Sequence, residues 1–193
     1  MGKLLKKLFY ALLICGFLYS CVYHKMTHMS SDELAWVANR KVGEIMYFKS
    51  QSGKVDTIKT LEVFIHNSLD PINWGYFNTS SKSYIATANV RYGINKNEGG
   101  ILSIEKKINN KSICFSSILS EGWQYDVPLK VTSLRIRNIT LDDVMIFDNS
   151  NLEPLNNDLP ENPVMSYAWS KKYGLVQYTF KDGTVFTRVG IGQ

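Results

Sequence analysis

The chain has 193 residues with 22 basic and 17 acidic side chains, a formal net charge of +5, which is room for one domain with a real core and not for two. Lys3, Lys6 and Lys7 crowd the extreme N-terminus, and without residues 1–20 the balance is 19 basic against 17 acidic, or +2. That is too weak a field for a nucleic-acid footprint, so no nucleic-acid partner is expected. With 45% hydrophobic and 20% charged residues the composition also excludes a disordered chain.

Met1 to Lys7 forms a basic leader, and Leu8 to Tyr19 is an apolar stretch of twelve residues. A spanning helix needs about 20 apolar residues, so the stretch reads as an export signal, not as a permanent anchor. Leu18-Tyr19-Ser20-Cys21 follows, with an apolar residue three before a cysteine and a small one directly before it. This resembles the lipobox of bacterial lipoproteins. The resemblance implies cleavage after residue 20 and acylation (a diacylglycerol, with palmitate-like chains) on Cys21, and so a membrane partner held through lipid. Two or three chains anchor stably where one binds only marginally, since each buried methylene contributes ~0.8 kcal/mol. With Cys15 lost and Cys21 acylated, Cys114 remains alone in the mature chain, where Ile113-Cys114-Phe115 predicts a small buried hydrophobe.

Residues 21–31 then read as lipidated cysteine and tether, and residues 32–193 as a single β-rich domain. Ser30-Ser31-Asp32-Glu33 fits a capping box and predicts one or two helical turns that carry Leu34 and Trp36 onto the domain. From Gly43 onward, short runs of β-branched and aromatic residues alternate with Gly, Asn, Asp and Ser clusters. Strands are predicted near 44–49, 55–66, 83–94, 100–108, 112–119, 130–139, 143–148, 164–170, 174–181 and 184–190. Most gaps are too short for parallel crossovers, which favours an antiparallel meander closing into a curved half-barrel or a sandwich, with little helix.

Two hairpins can be put in register. Asp182-Gly183 as a two-residue turn pairs Phe180 with Val185 and Tyr178 with Thr187. Ser52-Gly53, read the same way, pairs Lys49 with Asp56 and Tyr47 with Ile58. Residues 149–163, rich in Asn, Asp and Pro, form one long loop.

The run from Tyr167 to Tyr178, with its Tyr173-Gly174-Leu175-Val176-Gln177-Tyr178 core and closing Asp182-Gly183, is similar to the ending of many uncharacterised β-rich lipoproteins of Gram-negative anaerobes. Asp32 through Thr57, with Gly43-Glu44 and Phe48-Lys49-Ser50, resembles their opening, and Leu141-Asp142-Asp143-Val144 their middle. The resemblance implies fold and location, and no activity. In that group acidic residues soon after the lipidated cysteine mark surface export. Val22-Tyr23-His24-Lys25 has none, which points to the periplasmic face of the outer membrane.

Catalytic patterns are thin. His66 is the one histidine of the β domain, on the alternating strand Leu61 to His66, and reads as an exposed strand residue. His24 and His28 in the tether are two ligands at most, too few for zinc, so no metal is expected. The acidic candidates are Asp142-Asp143, Asp126 and Glu121; Asp142 and Asp143 would point to opposite faces of a strand and cannot converge on one bond. No phosphate loop or other cofactor motif occurs, and no cofactor is expected.

Two groups remain as binding candidates. Arg135 and Arg137 share one face of a strand opposite Leu134 and Ile136; they read as a solvated face or as a contact for an anionic ligand or headgroup. Trp74, Tyr76, Trp123 and Tyr125 fall near predicted loops, where aromatics fill core edges or mark an interface. The sequence thus predicts a non-catalytic envelope lipoprotein, a binding or structural module for an envelope protein, glycan or lipid. A carrier of an apolar ligand is the alternative, and a hydrolase a weaker third.

Overall fold

The computed structural model describes residues 27–67, 86–94, 97–107, 111–119, 123–148 and 161–191. The signal segment with Cys21, the segment with Trp74 and Tyr76, Glu121, and most of the 149–163 loop lie outside these residues. The helix α1 spans Ser31–Ala38. Its cap is the one the sequence predicts: the Ser30 hydroxyl accepts from the Glu33 amide at 3.2 Å, and Glu33 accepts from the Ser30 amide at 2.8 Å. Glu33 also takes the Lys106 ammonium at 2.8 Å. Desolvation by burial pushes the Glu33 carboxyl up, but the hydrogen bonds from Lys106 and Ser30 outweigh it and leave the group below its usual range.

The strands are β1 Ile45–Ser50, β2 Val55–His66, β3 Ala86–Ile94, β4 Asn97–Lys106, β5 Cys114–Leu119, β6 Trp123–Pro128, β7 Thr132–Ile136, β8 Ile139–Asp148, β9 Val164–Ser170, β10 Gly174–Phe180 and β11 Val185–Arg188. They form one antiparallel sheet in the order β6-β5-β4-β3-β2-β1-β11-β10-β9-β8-β7. The protein is therefore mainly β, a curled half-barrel and not two separate sheets.

The order itself explains the curl. β6 and β7 are the two outermost strands, yet only residues 129–131 join them. Four Cα steps reach at most about 14 Å, so the outer strands must swing toward each other. Rings then meet across the interior: Tyr92 on β3 and Trp169 on β9 lie 5.5 Å apart, and Phe115 on β5 and Phe147 on β8 lie 5.9 Å apart. The helix packs against the same core, with the Trp36 ring edge-on to Phe115 at 5.3 Å. The Trp169 indole N–H donates to the Trp36 carbonyl at 3.0 Å, so burying the ring leaves no polar group unpaired. Just before the helix, Met29 is fully buried and exchanges hydrogen bonds of 2.7 and 2.9 Å with the Asn67 side chain.

Both hairpin registers differ from the sequence expectation by one residue, in the same way. Tyr178 pairs with Phe186 and Thr179 with Val185, and Tyr47 pairs with Thr57 and Lys49 with Val55. Each turn has three residues and ends on a glycine in the left-handed region, Gly183 at φ 82° and Gly53 at φ 87°, the type I turn plus bulge that competes with the two-residue loop. The gain is core packing: Phe186 turns inward and stacks on Tyr178 at 5.2 Å, where the expected register had placed Thr187.

Other expectations also change. The strand read as 130–139 is broken by a turn at Arg137-Asn138, and β8 begins at Ile139. Trp123 and Tyr125, expected near loops, lie on the edge strand β6. That strand ends on Pro128 and holds Asp126 at φ 51°, irregularities that an edge tolerates. Cys114 is half-buried, not buried; its neighbours Ile113 and Phe115 take the interior. A bulge between Thr60 and Glu62 makes Leu61 the extra residue of β2, while Val63 and Ile65 keep the register of the inward Val90 and Ala88. Asp142 and Asp143 do diverge: Asp142 accepts from Ser133 at 2.7 Å, and Asp143 accepts from the Ser170 hydroxyl at 3.0 Å and the Lys172 amide at 2.8 Å. Asp143 thus organises the β9–β10 turn.

Candidate functional site

A second apolar cluster lies on the outside of the curl. Ala168 alternates with the inward Tyr167 and Trp169, and together with Val176 and Val144 it is buried against Ile136, Leu141 and Ile191. Ile136 and Leu141 belong to the β7–β8 hairpin, so the tip of that hairpin is held over the convex face of the sheet. This fixes the position of the two arginines the sequence singled out.

Between the hairpin tip and the sheet runs a groove of about 230 Å³, lined by Lys49, Ser50 and Gln51 from β1 and its turn, Arg135, Ile136 and Arg137, Gln177 of β10, and Val185 and Thr187 of β11. Arg135 is exposed on the edge strand β7, and Arg137 is held at φ 52° in the turn. Lys49 joins them because it projects outward opposite Val55, while Phe48 goes inward. Gln177 donates to the Thr187 hydroxyl at 3.3 Å, and the Gln51 side chain accepts from the Val185 amide at 3.3 Å. These two contacts fix the polar floor.

Among the described residues the groove contains three cations and no acidic side chain. Among the described residues none of the three is paired with a carboxylate. The register explains Lys49: the carboxylate once expected beside it, Asp56, is paired with Phe48 and accepts the Tyr178 hydroxyl at 2.6 Å. Burial together with that carboxylate drives the Tyr178 hydroxyl far above its usual range.

The structure therefore brings Arg135 and Arg137 together, and it adds Lys49, Gln51, Gln177 and Thr187, which the sequence reading passed over. Trp123 and Tyr125 are on β6, at the opposite end of the strand order from Arg135 on β7. Trp74 and Tyr76 lie outside the described residues. His66 ends β2, in register with Thr87 of β3. No family model matches the chain, and neither the curated proteins nor the solved structures contain a match.

A second charged cluster is structural. The Arg40 guanidinium, almost fully buried, donates to the carbonyls of Tyr173 and Lys172, the latter at 2.6 Å, and lies 3.5 Å from Glu44. Arg188 donates to the same Tyr173 carbonyl and reaches Glu44 at 3.1 Å. Burial pulls the Arg40 guanidinium below its usual range, with Glu44 opposing and Arg188 adding to that pull. The terminal guanidinium nitrogens of Arg40 and Arg188 thus hold the β9–β10 turn against the chain that follows α1, while Arg40 Nε is buried without a partner among the described residues.

Proposed function

We propose that this chain is a lipid-anchored envelope protein whose β domain is a binding module that performs no covalent chemistry. The observation that carries the binding half is the groove: three cations, unpaired among the described residues, gathered on an outward face together with hydrogen-bonding side chains. Paired surface charges contribute little to stability, and unpaired ones of like sign oppose folding, so fixing three together costs the fold and points to a ligand. The anchoring half rests on Leu18-Tyr19-Ser20-Cys21 behind a basic and apolar leader too short to span. From Cys21 to Met29 is eight Cα steps, a reach of about 28 Å at most. A domain held so close would work at the bilayer surface, on the periplasmic side of the outer membrane.

The test is a substitution at the acylation site. Cys21→Ser is expected to leave the protein in the soluble fraction, or uncleaved, when membranes from expressing cells are pelleted. Normally processed protein that stays in the pellet would contradict lipid anchoring.

A further inference from the structure

The geometry points to a specific chemistry in the groove: a phosphorylated polyol, either free in solution or as the headgroup of a lipid, seated between the β7–β8 hairpin tip and the outer faces of β10, β11 and β1. The inference rests on the reading of the domain as a binding module and adds what it binds.

Charge is the first argument. Lys49, Arg135 and Arg137 line one groove with no acidic neighbour in it among the described residues. A carboxylate offers one negative charge and two oxygens, which leaves cations unanswered. A phosphate monoester carries about −1.5 to −2 at pH 7 with three acceptor oxygens, and guanidinium forks match it in bidentate fashion. The two arginines, which flank Ile136 in the sequence, supply planar donors, and Lys49 on β1 supplies a point charge.

Size is the second. The groove holds about 230 Å³, roughly seven or eight waters at about 30 Å³ each, more than a phosphate group fills and less than a drug-sized ligand takes. The remainder of the lining suits a hydroxyl-rich carrier. Gln51, Gln177 and Thr187 present amide and hydroxyl groups, and Ile136 and Val185 present apolar wall against which C–H groups can rest. An apolar tail has no enclosed space here, so a lipid would enter by its headgroup alone.

The experiment uses the full mature protein purified in a nonionic detergent, with glucose 1-phosphate titrated by calorimetry and with glucose, inorganic phosphate and glucuronate as comparisons. Glucose 1-phosphate is expected to bind more tightly than any of the three. Arg135→Gln, Lys49→Gln and Arg137→Asn should each weaken it by about tenfold, the loss of one charge-assisted hydrogen bond. Asn at 137 keeps a residue that tolerates the left-handed backbone, and all three positions are exposed, so melting temperatures should hold. Adding phosphatidylglycerol phosphate, a lipid whose headgroup ends in a phosphate monoester, to the micelles separates the sources: displacement of glucose 1-phosphate identifies a lipid headgroup, and lack of displacement a free phosphate ester. Glucose binding as tightly as its phosphate, glucuronate binding best, or unchanged affinity in the three folded variants would overturn the assignment. None of these readouts depends on where the N-terminus is attached, so failure here and failure of the Cys21→Ser test are distinguishable.

Discussion

Trp169→Ala is expected to lower the melting temperature by about 10 °C, from a loss of roughly 3–5 kcal/mol. Trp169 is 1% exposed, and its ring faces Tyr92 across the interior at 5.5 Å while its N–H satisfies the Trp36 carbonyl. The substitution therefore opens a cavity between the two arms of the curled sheet and strips a buried carbonyl of its donor, two penalties that add. It also loosens α1, since the helix is tied to β9 through that hydrogen bond. Circular dichroism melts of the wild-type and variant chains decide it. A fall of only 2 °C or so would mean that the arms do not pack through this ring, and the half-barrel would need another keystone.

Gly174→Ala is expected to cost about 2–4 kcal/mol, and Gly183→Ala only about 1 kcal/mol, in chemical denaturation. Both glycines are left-handed, at φ 75° and 82°, and strain of about 1–2 kcal/mol accompanies any Cβ there. Their surroundings differ. A Cβ at 174 would stand 2.9 Å from the Arg40 guanidinium and 3.0 Å from Arg40 Cδ, whereas at 183 it meets nothing within 4 Å. Arg40 would have to leave the carbonyls of Lys172 and Tyr173 while still buried, and a buried cation deprived of partners is expensive. Equal losses at the two positions would show that the Arg40 cluster is soft and does not lock the β9–β10 turn to the chain after α1.

The contrast between these glycines bears on what local sequence can specify. The capping box at Ser30 and Glu33 was legible because all its partners lie within four residues. Most strands were legible because alternation of apolar and polar residues survives in any register. Register itself was not, because Asp182-Gly183 and Ser52-Gly53 suit a two-residue turn and the end of a three-residue turn about equally well. The choice was made by Phe186 stacking on Tyr178 and by Phe48 turning inward, which are non-local contacts.

The groove was half legible for the same reason. Arg135 and Arg137 stand out as a basic pair in the sequence, but Lys49 is 86 residues from Arg135 in the numbering of the chain, and a two-residue turn at Ser52-Gly53 sets it opposite Asp56. Only the one-residue shift at Gly53 frees it, and only the matching shift at Gly183 sets Thr187 beside Gln177. The fold of the hairpin over the convex face depends on Ile136 and Leu141 finding Ala168 and Val176, a contact between segments some thirty residues apart. β6 is hard to read from sequence because Asp126 and Pro128 are residue types poor in strands, and an edge position tolerates them.

Intact-mass spectrometry of the native protein, extracted from its own membranes, bears most directly on the anchored binding module. A lipid-anchored chain is expected to start at Cys21 and to be heavier than residues 21–193 by a diacylglycerol and, in the fully processed form, one further acyl chain. A mass that includes residues 1–20, or that matches residues 21–193 with a bare thiol, would contradict it.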